Sequence, residues 1–193
     1  MAFRNFWKAD PADFTMIRNP RFEISLFPAI ALINQPTMPT DAPWRDHNWI
    51  AHTQILLDSF LHFVGRELIA RTGQPADDAR VVFEAPFVVV SHGTQDDPIL
   101  NYGNQTALTL WGMDIPTLTS MPSRLTAELM HRDERAQLMT RAARDGFVDD
   151  YRGIRVTSSG KRFLIEQAII WNLIDANGQR VGQAATFSDW TWL

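Results

Sequence analysis

A chain of 193 residues, 45% hydrophobic and 21% charged, is long enough for one domain with a sizeable core and an appendage. Its net charge of −4, from 18 Lys and Arg against 22 Asp and Glu, gives no electrostatic ground for binding nucleic acid or an anionic membrane. The absence of cysteine excludes disulfides, thiol catalysis and thiolate metal sites.

In chain order, residues 1–45 read as a proline-rich arm holding six of the eleven prolines, a density that prevents long helices and central strands. Phe22, Ile24, Leu26, Phe27, Ile30, Leu32 and Ile33 are too apolar for a solvated linker. Two readings stand: an arm packed over its own domain, or one exchanged with another subunit. The opening MAFRNFWKAD lacks the apolar core and cleavage site of a secretory signal. No apolar run approaches a membrane span. A cytoplasmic protein is the default expectation.

The spacing of Trp49, Leu56, Phe60, Phe63 and Leu68 predicts a helix from about Asp46, its N-cap, to Arg71. His47, His52 and His62 lie on it, but no two are three or four residues apart, so they form no one-face metal pair. Gly73, Gln74 and Pro75 break the chain, and a short helix over Asp77–Ala85 follows, stopped by Pro86. Phe87–Ser91 is a β-branched run and a predicted buried strand. Gly93–Asp97 is a turn and Ile99–Tyr102 a second short strand. Asn104 is placed to cap a helix over Gln105–Trp111, with Gly112 ending it. Pro116–Leu129 reads as short helical turns, and Asp133–Arg144 as a helix.

Phe147–Trp192 reads as three antiparallel strands. Ser158-Ser159-Gly160-Lys161 marks the first turn. Asp175-Ala176-Asn177-Gly178 marks the second, its Asn-Gly suited to a type I′ hairpin. On the middle strand a strict period of two places Phe163, Ile165, Ile169, Trp171 and Leu173 on one face, with Gln167 among them. Gln167 and Trp171 are therefore expected to face a cavity between sheet and helices. Gln167 either orients a ligand through its amide or satisfies a buried backbone group. Trp171 and Trp111 either wall a pocket or are plain core. Glu166 faces away and is expected to pair with Arg155 or Arg162. Arg155 alternates with Ile154 and Val156 and is expected to point outward. His92 is a pocket group or a cap on its strand end. Arg124 faces an anionic ligand or is a solvated helix-start residue.

A strand, a turn, a short strand and a helix opened by Asn resembles the opening of a PAS domain. Asp97-Pro98-Ile99-Leu100, Asn104-Gln105 with Ala107-Leu108, Ser158-Ser159-Gly160-Lys161, Glu166-Gln167-Ala168 with Trp171, and Asp189-Trp190 together resemble the MEKHLA family. That is a PAS-related domain found as stand-alone bacterial proteins and at the C-terminus of plant class III homeodomain leucine-zipper transcription factors. The similarity runs from about Trp49 to Trp192.

The resemblance implies an α+β, PAS-like antiparallel sheet with flanking helices over residues 46–193, preceded by an N-terminal helix and the proline-rich arm. It implies a sensory or regulatory module that takes a small-molecule ligand or a protein partner between sheet and helices. The candidate ligand-binding residues are Gln167, Trp171, Trp111, Tyr102, His92 and Arg124. A photoactive flavin adduct is excluded, because the chain has no cysteine and Phe187 stands where such domains carry glutamine. No haem-ligand motif matches around His92 or His131. Cofactor identity stays open, and no metal or catalytic residue is assigned. Asp189-Trp190-Thr191 resembles the turn that leads to an output helix in signalling relatives, so with two residues left, output is expected through the surface, the arm or a separate partner. The alternatives are a small enzyme using the same cavity, and a ligand-free structural homodimer. GxSxG, HExxH, P-loop and Rossmann patterns are absent. The cavity is expected to be mostly apolar with at most two or three polar groups.

Overall fold

The computed structural model describes residues 42–127, 141–142 and 144–193. The arm before residue 42, most of the helix expected from Asp133, and the candidates His131 and Glu128 lie outside the described residues.

The first helix, α1 (His47–Val64), starts where expected: Asp46 Oδ1 accepts the N–H groups of Asn48 (2.9 Å) and Trp49 (3.1 Å). It ends at Val64 and not at Arg71, because Gly65 takes a left-handed conformation (φ 78°) that closes the helix. The irregular segment that follows is tied down by charge. Arg71 donates to Asp58 (2.9 Å) and to the buried Asp78 (2.8 Å) on helix α2 (Pro75–Phe83).

Strands β1 (Val88–His92) and β2 (Leu100–Gly103) precede helix α3 (Gln105–Trp111) and the short α4 (Ile115–Thr119). Long strands β3 (Phe147–Val156), β4 (Arg162–Ile174) and β5 (Arg180–Phe187) and the short β6 (Trp190–Trp192) complete the chain. The sheet is antiparallel in the order β2-β1-β5-β4-β3, with β6 also paired to β4.

Asn104 joins the two halves. Its side-chain oxygen caps α3 through Ala107 N–H (3.1 Å) and also accepts Val89 N–H (3.0 Å). Its amide donates to Phe87 O (2.7 Å) and Val82 O (3.2 Å). A fully buried carboxamide thus serves a helix end, a strand and the preceding turn at once.

Both hairpin loops have one geometry, and it differs from the expected I′ turn. Gly178 N–H donates to Asp175 O (2.9 Å) and Asp175 N–H to Gln179 O (2.9 Å), with Gly178 left-handed at φ 75°. Gly160 N–H to Thr157 O (3.0 Å) and Thr157 N–H to Lys161 O (2.9 Å) repeat it, with Gly160 at φ 80°. Each is a longer loop with one left-handed glycine, a shape that needs no positive φ at the residue before it. Asp175 and Thr157 support their loops by accepting Gln179 N–H (2.9 Å) and Lys161 N–H (3.0 Å) on their side chains.

The sheet is apolar on both faces. One face packs on α1 and α2 through Leu56, Leu57, Phe60, Val89, Tyr102, Trp171 and Leu173. The other packs toward α3 through Val88, Trp111, Phe163, Ile165, Ala168, Ile170 and Phe187.

The period-two reading of β4 fails in its middle. Tyr151 pairs with Ala168 and Gly153 with Ile165, so two steps on β3 face three on β4. A β-bulge at Glu166-Gln167 takes up the extra residue. A compensating irregularity on β3 lies between Val148 and Tyr151, paired with Ile170 and Ala168. Phe163 and Ile165 therefore share their face with Ala168 and Ile170, while Trp171 and Leu173 point to the opposite one.

Candidate ligand cavity

The α3-side face of the sheet floors a cavity of about 550 Å³. Pairing sets its rows: Val90 opposite Ala185, Ile170 opposite the same Ala185, and His92 opposite Gln183. Ala168, Ile165 and Phe187 complete the floor. The volume arises because Ala168 and Ala185 stand where larger residues would fill it. Across from the floor are Trp111 of α3, Leu100 of β2, the loop 93–98 and the turn around Ser123–Ala127. Trp111 is held from outside by the first hairpin loop. Ser158 N–H donates to Trp111 O (2.9 Å) and Ser158 Oγ to Gly112 O (2.9 Å).

The candidate residues divide evenly. Trp111, His92 and Arg124 line the cavity. Gln167, Trp171 and Tyr102 do not. Gln167 is exposed on the bulge. Trp171 is fully buried on the α1 face, edge-on to Phe60 (4.9 Å between centroids) and donating from Nε1 to Leu56 O (3.3 Å). Tyr102 is fully buried on that face too, 4.6 Å from Trp49 between ring centroids. The bulge moved the first two. Tyr102 is turned to α1 by its pairing with Ser91, whose hydroxyl lies 2.8 Å from His52 Nε2. Glu166 pairs with Arg152 at 3.7 Å, an arginine outside the two expected.

Arg155, expected to point outward, lines the cavity. It lies opposite Phe163 on β4, and its guanidinium carbon is 5.1 Å from the centre of the Tyr151 ring. Its alternation with Ile154 and Val156 hid it, because the polar member of such a strand is ordinarily read as the outer one.

The mouth is more polar than expected. Asp96, Asp97, Ser123, Thr126, Arg180 and Gln183 border it besides His92, Arg124 and Arg155, well beyond two or three polar groups. The reason is that two loops, not a helix face, close this side. Arg124 Nε donates to Asp97 Oδ1 at 3.0 Å, which neutralises that pair. His92 Nδ1 donates to Gly93 O (2.8 Å), leaving Nε2 as the acceptor of a neutral ring. Burial pushes the His92 imidazole below its ordinary range, and the charge of Arg180 adds to this against hydrogen bonds with Gly93 and Gln183. Trp111 is 3% exposed and its Nε1–H has no acceptor among the described residues. Among the described residues there is no cluster of histidine and carboxylates that could hold a metal ion.

The sequence profile of the MEKHLA domain matches residues 50–192. No curated protein matches the chain. Among solved structures, an RNA-binding light-oxygen-voltage receptor is similar over 62% of this chain and 34% of its own, at 19% identity and a TM-score of 0.51. The PAS domain of a protein from Colwellia psychrerythraea is similar over 61% of this chain and 94% of its own, at 13% identity and a TM-score of 0.49. The fold is PAS-like, as the strand order, the flanking helices and the likeness to the light-oxygen-voltage receptor show.

Proposed function

The chain belongs to the MEKHLA domain family, and from that premise we propose that it is a sensory module whose α3-side cavity binds a small molecule. The observation that carries this reading is the cavity itself. About 550 Å³ of space, with an apolar floor and a few convergent donors and acceptors, is the size and make-up of a small-molecule site. Two alanines on the floor keep it open where a structural core would be filled, since interiors otherwise pack densely.

The second face of the sheet supports the sensory part. Along β1 the side chains alternate: His92 borders the cavity, while Ser91 is bonded to His52 on α1. A ligand that shifts β1 on one face therefore acts on α1 on the other, provided it binds the two arrangements with different affinity. Acid–base chemistry is not favoured by the polar groups described. His92 spends its N–H on a backbone carbonyl, and Glu166 faces solvent beside Arg152.

Native mass spectrometry of the purified protein tests this, with Ala185→Phe as the filled-cavity control. We expect a small molecule to travel with the wild type and to be lost from the variant. Absence of any bound mass from the wild type, together with an Ala185→Phe protein that melts higher, overturns the reading.

A further inference from the structure

We propose that the ligand is an organic carboxylate on a flat apolar body, with Arg155 receiving the carboxylate. The inference rests on the cavity reading above and adds the ligand's charge and shape.

Charge comes first. Arg71, Arg80, Arg124, Arg141, Arg144 and Arg152 each have a carboxylate within 4.0 Å. Arg155 and Arg180 on the cavity have none among the described residues, and of the two only Arg155 sits on the strand pair beside Phe163. Its hydrogen bond, from Nη1 to Ile154 O at 3.3 Å, uses one of the five N–H groups a guanidinium carries. A half-buried guanidinium on a cavity wall, with most of its donors unspent among the described residues, is a preformed anion receptor, and its planar fork matches a carboxylate.

A second, independent donor lies at the same end. Trp111 stacks edge-on to Phe163, with centroids 5.5 Å apart, and Phe163 is the pairing partner of Arg155. The Trp111 indole N–H is buried with no acceptor among the described residues, which is unfavourable unless something supplies one. A carboxylate at this end offers acceptors to both groups. Among the described residues acidic competition at the mouth is limited: Asp97 is already paired with Arg124, and Asp96 is exposed.

Shape follows from the floor. Ala168 and Ala185 give a shallow, even surface bounded by Ile165, Ile170 and Phe187. A ring system lies flat on such a surface and keeps dispersion contact across its whole face.

The test uses 2-naphthoate and its neutral isostere 2-naphthamide, titrated by calorimetry into the wild type and Arg155→Gln, Arg155→Met, Trp111→Phe and Ala185→Phe. We expect the acid to bind the wild type about tenfold or more tighter than the amide, as a charge-assisted pair does. The preference should vanish in both Arg155 variants, of which either suffices if the other folds poorly. Trp111→Phe should weaken the acid. An acid that binds no better than the amide, a preference that survives both Arg155 replacements, or a wild type that takes neither probe overturns the inference. Should the amide win and Ala185→Phe abolish it, the cavity reading stands and the anion falls. Should Ala185→Phe leave both probes bound, the cavity reading itself falls.

Discussion

Replacing Asn104 with alanine removes five hydrogen bonds, including a long one of 3.5 Å from its amide to Ala85 O, from a side chain with no solvent exposure. Loss of the α3 cap costs about 1 kcal/mol. Val89 N–H and Phe87 O are left without their side-chain partner in the interior, and an orphaned buried group costs about 1–3 kcal/mol. Ala85 O suffers less, because Thr106 Oγ also donates to it at 2.7 Å. The expected total is about 3–7 kcal/mol, hence a melting temperature lower by roughly 6 °C or more for a chain of this size. Asn104→Asp separates the two halves of the network. It keeps the acceptor for Ala107 and Val89 but turns a second oxygen toward Phe87 O and Val82 O. At pH 7 it should be destabilised at least as much as the alanine variant. Because burial raises such a carboxyl's pKa, lowering the pH protonates it and restores a donor, so its deficit should narrow. Urea unfolding followed by tryptophan fluorescence reads all three proteins. A loss below about 1 kcal/mol in Asn104→Ala, or an Asn104→Asp as stable as wild type at pH 7, refutes the reasoning.

Burial lowers the His52 pKa from 6.5 to about 4, so as pH falls the unfolded chain takes up that proton first and stability drops from about pH 6.5 to about pH 4. His52→Gln, which keeps a donor for Ser91 Oγ, should flatten part of that slope in urea midpoints; an unchanged slope counts against it. Gly182→Ala should destabilise by about 1–3 kcal/mol, since a Cβ there would sit 2.3 Å from His92 O and push β1 off β5; an unaltered melting curve would show that the strands yield freely. Gln167→Leu should leave ligand retention by native mass spectrometry intact, because Gln167 is exposed on the bulge; loss of ligand in that variant would place the bulge elsewhere.

The sequence by itself determined the element order and the punctuation between elements. Asp46, Asn104 and Gly112 cap their helices where the residue types demand, because a cap is a local bond between a side chain and the next turn. The glycines at 160 and 178 mark the hairpins for the same local reason, although the loop type also depends on side chains such as Asp175. The end of α1 at Gly65 is legible too, although the apolar spacing that continues to Leu68 masks it.

Only the tertiary structure decided which faces meet. β4 is covered on both sides, so Phe163 and Ile165 toward α3 look the same in sequence as Trp171 and Leu173 toward α1. A period of two carries information only when one face is wet. Two adjacent polar residues, Glu166 and Gln167, inside an apolar strand were the trace of the bulge. Read as alternation, they placed Gln167 and Trp171 in the cavity and left Arg155 out. Register between β3 and β4 is set by pairing across the sheet, a non-local balance of hydrogen bonds and packing on two faces, and it put Arg155 beside the cavity instead.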